Sequence, residues 1–88
     1  MKMSQYEYRL TKKSLRQFQK LDLPTRKRIF NKLDYFCHRP DPFVFAEKLS
    51  DNKAGQYRFR MGDYRVIFDV ENNVIKILKI GHRRDIYK

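Results

Sequence analysis

Apolar residues recur at helical spacing in the first half of the chain and alternate with polar ones through most of the second. Tyr6, Tyr8 and Leu10, at period two, predict a short strand over Gln5–Leu10. Thr11 follows as a plausible N-cap for a helix running from Lys12 to about Leu21, with Leu15 and Phe18 on one side. Pro24 can open a second helix, in which Ile29, Phe30, Leu33, Phe36 and Cys37 form an apolar stripe turned inward. Two such helices joined by a few residues make a hairpin able to cover one face of a sheet. Pro40 and Pro42 end the second helix and begin a loop. Beyond it Phe43, Phe45 and Leu49 are expected to pack, and Lys53 to Gln56 to turn.

Three strands are predicted next, over Gln56–Met61, Tyr64–Val70 and Val74–Ile80. A two-residue turn at Gly62-Asp63 would pair Met61 with Tyr64, Arg60 with Arg65, Phe59 with Val66 and Arg58 with Ile67. A second tight turn at Asn72-Asn73, residues that tolerate positive φ, would pair Val70 with Ile75, Phe68 with Ile77, Ile67 with Leu78 and Arg65 with Ile80. Tyr57, Phe59, Val66, Phe68, Val70, Ile75 and Ile77 then share a face assigned to the helices. Arg58, Arg60, Arg65, Ile67, Leu78 and Ile80 share the other, joined by His82 if the alternation continues through Gly81. The fold class expected is α+β, a small twisted antiparallel β-sheet with an N-terminal helical hairpin on one face, over residues 1–88 as a single domain.

Arg60 and Arg65 are the oddity in this pattern. Like charges directly opposite on a sheet destabilise it by roughly 0.2 to 1 kcal/mol, so retaining such a pair calls for an anion between them. The hairpin is therefore a candidate phosphate clamp. Charge supports an anionic partner: 21 Lys and Arg against 10 Asp and Glu give the 88 residues a net charge of +11. The charge is uneven, with residues 1–40 supplying most of it. Cys37 is the only cysteine, which excludes an intrachain disulfide, and its place in the apolar stripe marks it as a buried hydrophobe. No long apolar run and no signal-like N-terminus is present, so a cytoplasmic protein with no membrane association is expected.

The C-terminal segment GHRRDIYK brings residue types suited to phosphodiester chemistry. His82 can exchange protons near neutral pH, Arg83 or Arg84 can clamp a phosphate, and Tyr87 can stack on a base or share a proton. The expected register sets His82 and Arg83 close to Arg60 and Arg65.

The order strand, helical hairpin, then YRFRMGDYRVIF and IGHRRDIY resembles the RelE/ParE superfamily of type II toxins over nearly the whole chain. The RelE-like mRNA interferase branch is the better match. The resemblance implies a toxin that enters the ribosomal A site and cleaves mRNA, the substrate 2′-hydroxyl attacking the adjacent phosphate to leave a 2′,3′-cyclic phosphate. It further implies catalytic roles for Arg58, Arg60, Arg65, Arg83 and Tyr87. Arg58 and Arg60 stand where relatives commonly carry lysines. Arginine, with a pKa above about 12, cannot act as a general base, which makes both electrostatic stabilisers of the phosphorane. The proton acceptor would be His82 or Tyr87, with His82 favoured because surrounding cations hold it neutral. No metal and no other cofactor is required, and Asp63 and Asp69 have no histidine at ligand spacing.

The resemblance also implies partners: a cognate acidic antitoxin forming a toxin-antitoxin hetero-oligomer, and the ribosome with its mRNA. Many relatives continue past the tyrosine into a C-terminal helix, whereas this sequence ends at Lys88. Masking of the arginine face is therefore expected in place of helix displacement. Lys12, Lys13, Arg16, Lys20, Arg26, Lys27, Arg28 and Lys32 on the helices, with Arg84, would hold ribosomal RNA. Two other readings stand beside the endoribonuclease: a ParE-like inhibitor of DNA gyrase acting by protein binding, and an inactive basic module that binds RNA or antitoxin.

Overall fold

The computed structural model of the chain describes residues 6–51 and 53–87, so Gln5, the start of the first expected strand, lies outside the described residues. The order is β1 (Glu7–Leu10), α1 (Lys12–Gln19), α2 (Leu23–Cys37), a 3-10 turn (Pro42–Phe45), β2 (Ala46–Lys48), β3 (Tyr57–Met61), β4 (Tyr64–Glu71) and β5 (Val74–His82). The strands form one sheet in the order β1-β5-β4-β3-β2. It is antiparallel except at one edge, where β1 runs parallel to β5. A parallel pair needs a long crossover connection, and the two helices lie in the chain between these strands.

Each helix begins at a side-chain cap. The Thr11 hydroxyl accepts from the Ser14 backbone N–H at 3.1 Å, as the sequence predicts. Asp22 caps α2 by accepting from Thr25 N–H and, at 2.7 Å, from the Thr25 hydroxyl. These hydrogen bonds, the hydroxyl's first, hold the Asp22 carboxyl below its ordinary value. Ile29, Leu33, Phe36 and Cys37 bury against Phe59, Val66, Phe68, Ile75 and Ile77 of the sheet. Each large apolar side chain among them contributes about 1.5–3 kcal/mol by leaving water. One expected inward residue turns out differently: Phe30 is about half exposed, as is Leu15 on α1, since each helix has only one face against the sheet. The segment around Phe43–Leu49 resolves into the 3-10 turn and β2, which adds an edge strand by pairing Ala46 with Phe59 and Glu47 with Arg58.

The β3–β4 hairpin has the expected register, Arg60 opposite Arg65 and Met61 opposite Tyr64, with Gly62 at φ +62°. The β4–β5 register begins as expected, Val70 with Ile75 and Phe68 with Ile77, and then slips by one residue: Ile67 pairs with Lys79 and leaves Leu78 as the extra residue of a bulge. Everything beyond shifts. Arg65 pairs with Gly81 instead of Ile80, and Ile80 pairs with Val66, 2 % exposed in the main core rather than on the arginine face.

The second face is also less open than the alternation suggests. Ile67 is fully buried, because the chain after β2 crosses it closely. A Cβ on Gly55 would lie 2.6 Å from Ile67 Cγ2, so this crossing needs glycine. At the far end Ile86 folds back over Gly81 and is buried in turn.

Candidate active site

β3 and β4 carry Arg58, Arg60 and Arg65 on the face away from the helices, and β2 brings Glu47 beside them. Arg58 Nε donates to Glu47 Oε1 at 2.6 Å. Its Nη1 donates to the Tyr87 hydroxyl, and the guanidinium lies 5.9 Å from the centre of the Tyr87 ring. The hydrogen bond to Glu47, then that to Tyr87, pushes Arg58 above its ordinary value, so it remains a fixed cation. The hydrogen bond from Arg58 likewise lowers the Glu47 carboxyl, with Arg58, Arg60 and Arg65 adding their charge. Arg60 is exposed. Arg65 curls over the hairpin, its Nη1 donating to Gly62 O at 2.8 Å and to Tyr64 O at 3.0 Å.

Arg83 reaches the same hairpin by another route. Its backbone N–H donates to Asp63 O at 2.7 Å and its Nε lies 3.4 Å from the Asp63 carboxylate. The turn Gly62-Asp63 thereby holds both Arg65 and Arg83. Of the residues expected at the site, Arg58, Arg60, Arg65 and Tyr87 lie on or against one face, and Arg83 sits at its rim.

His82 does not join them. The bulge at Leu78 pairs it with Tyr64, and the two rings meet edge to face at 5.3 Å on the α1 side of the sheet end. There His82 borders a cleft with Lys13, Gln17 and Lys20. Its Nδ1 accepts the Arg84 backbone N–H at 3.1 Å. Lys12, Lys13, Arg16, Lys20, Lys27, Arg28 and Lys32 are distributed along the helices, in the layer opposite the arginine face, and Arg84 is exposed on the C-terminal turn. Arg26 is half-buried, and its Nε has no partner among the described residues.

Glu47 and Asp63 are the site residues that the sequence pattern does not reveal. The one signal for Glu47 is a lone acid in a short segment ahead of the Arg-x-Arg strand; its pairing with Arg58 depends on a β2 register that the pattern does not contain. Asp63 stands out in the sequence only as a turn residue. Among the described residues no group of three or more His, Cys, Asp or Glu could hold a metal ion. No helix among them is long and apolar enough to cross a membrane.

Comparison with known proteins agrees with this architecture. Residues 8–87 match the family described as the ParE toxin of type II toxin-antitoxin system, parDE. Among solved structures, the chain is similar to one in the archaeal RelE–RelB complex from Pyrococcus horikoshii OT3, at 32% identity and TM-score 0.71, covering 92% of this chain and 98% of that one. It shares the fold of a chain in the toxin-antitoxin complex RelBE2 from Mycobacterium tuberculosis, at 24% identity and TM-score 0.77, covering 89% and 98%. No curated protein matches. The helical hairpin on a five-stranded sheet and the match over residues 8–87 make this chain a member of the RelE/ParE superfamily, a toxin of a type II toxin-antitoxin system.

Proposed function

We propose that this toxin is a ribosome-dependent, metal-independent endoribonuclease that cleaves mRNA in the A site and so inhibits translation. The observation that carries the reading is the assembly of Arg58, Arg60 and Arg65 around one carboxylate, Glu47, with Tyr87 bound to Arg58. The arginines supply charge where the phosphorane gains it, a contribution worth about 2.7–4 kcal/mol for a well-placed donor. Glu47 takes the 2′-hydroxyl proton, since it is already ionised at neutral pH whereas a phenol is not. This reassigns the role that the sequence favours for His82, which the β5 bulge turns toward α1. Tyr87 stacks against the substrate base, and Arg83 clamps the phosphate while the P–O5′ bond breaks and the 5′-oxygen leaves as a hydroxyl with a proton from water. The helical cations hold ribosomal RNA. An acidic antitoxin masks the arginine face, a reading supported by the toxin-antitoxin complexes among the structural relatives. The site of action is the cytoplasm, where translating ribosomes are found.

Primer extension on a translated transcript tests the reading. Cleavage between codon positions is expected with the wild-type chain, and its loss in Arg65→Ala and Arg83→Ala. The match to the ParE toxin family favours a second reading, inhibition of DNA gyrase by binding. Growth arrest with intact message and accumulated DNA breaks would establish that one instead.

A further inference from the structure

The cleft beside His82 lies on the other side of the sheet end from the arginine face, and the reaction proposed above leaves it unused. Its volume is about 610 Å³, inside the roughly 300–1,000 Å³ range of small-ligand sites. Lys13, Gln17 and Lys20 line it along α1, and Tyr64 and His82 close it at the end of the sheet. Ile80 is in its lining as well. The shape is held open by hydrogen bonds: Gln17 Oε1 accepts from Ile80 N at 2.9 Å, and Lys79 Nζ donates to Ile86 O at 2.8 Å. Three lysines, Lys13, Lys20 and Lys79, face one carboxylate, Asp85, so the lining is cationic.

We propose that this cleft is a second RNA subsite, which takes one ribonucleotide of the strand bound at the arginine face. The phosphate lies against Lys13 and Lys20, both exposed, which takes these two from the helical set assigned above to ribosomal RNA. The base packs against Tyr64 and the half-buried Leu21, as unstacked bases do on aromatic side chains. His82 completes the subsite: with Nδ1 occupied by the Arg84 N–H, the neutral ring carries its proton on Nε2 as a donor. Continuity of a single strand follows from register. Tyr64 and Arg65 are neighbours in β4 and point to opposite faces, so a strand that crosses the sheet end at the Gly62-Asp63 turn meets Arg65 and then the cleft. Arg83 stands at that turn.

This subsite presupposes that RNA is the substrate, and the experiment separates the two. The full chain is titrated with adenosine 5′-monophosphate and with a short single-stranded RNA while backbone amide shifts are followed by NMR. Shifts at Lys13, Lys20, Tyr64 and His82 are expected with either ligand, joined by Arg60 and Arg65 with the RNA. A Lys13→Ala, Lys20→Ala double variant should bind the RNA about tenfold more weakly at low salt. Its slope of log affinity against log salt should fall by roughly 0.7 for each phosphate no longer neutralised. RNA shifts confined to the arginine strands, with unchanged affinity and slope in the double variant, would overturn the subsite and leave the nuclease reading intact. Silence at both surfaces would overturn the subsite, while the ribosome-dependent nuclease reading stands or falls on primer extension. On programmed ribosomes, a photoreactive uridine in the message should cross-link to Tyr64 or His82. Cross-linking of that uridine to the toxin only through the arginine strands would overturn occupancy by the same strand.

Discussion

Arg58 and Glu47 form the closest ion pair of the arginine face, Nε to Oε1 at 2.6 Å across the β2–β3 register. A predominantly cationic surface therefore contains an ionised carboxylate at its β2 edge. Because the Glu47 carboxyl titrates lower in the folded chain than its ordinary 4.5, its contribution to stability is complete above that pH and disappears as pH falls through the lowered value. Unfolding midpoints measured at stepped pH should decline for the wild type below about pH 4.5 more steeply than for Glu47→Gln. Equal acid limbs would refute the pairing. The same substitution should abolish cleavage on programmed ribosomes if Glu47 takes the proton.

Arg65 is held to its own hairpin by the carbonyls of Gly62 and Tyr64, so its position is set before any ligand arrives. Arg65→Ala should lower single-turnover cleavage by about 10²–10³-fold, the loss typical of one well-placed donor. Thermal unfolding should change little, since the side chain is not part of the main core. A fully active variant would remove Arg65 from the reaction.

Ile80 tests the bulge. Facing the core opposite Val66, it should cost about 2–5 kcal/mol on replacement by alanine. An Ile80 on the open face would cost far less, so urea unfolding of Ile80→Ala discriminates the two registers directly.

Cys37 is buried at the end of α2, and burial first, then the Asp34 carboxylate, pushes its thiol up to about 11. The thiolate is the nucleophile, so the folded chain should resist alkylation at neutral pH and react only when unfolded. Rapid labelling without denaturant would contradict this.

Much of the architecture is legible in the order of residues. Period two in Tyr57–Met61 and Tyr64–Val70, with glycine at the intervening turn, places Arg60 opposite Arg65 because a tight turn leaves only one pairing. Thr11 and the Ile29–Cys37 stripe specify the start of one helix and the buried face of the other for equally local reasons. The motif pair YRFRMGDYRVIF and IGHRRDIY is enough to point to the superfamily.

What local order does not contain is where the ladder slips and which distant segment lies alongside. A one-residue bulge at Leu78 moves Ile80 into the core and His82 away from the arginines, since a strand's side chains reverse faces with every residue gained. Strand β2 brings Glu47 to Arg58, and the fold-back at Ile86 sets Tyr87 against the same guanidinium. The sequence by itself determined the helical hairpin, the β3–β4 register and the sign of the charge, all products of short-range periodicity and composition. Only the tertiary structure decided which acid sits among the arginines and on which side the histidine lies, because both depend on packing between segments far apart in the chain.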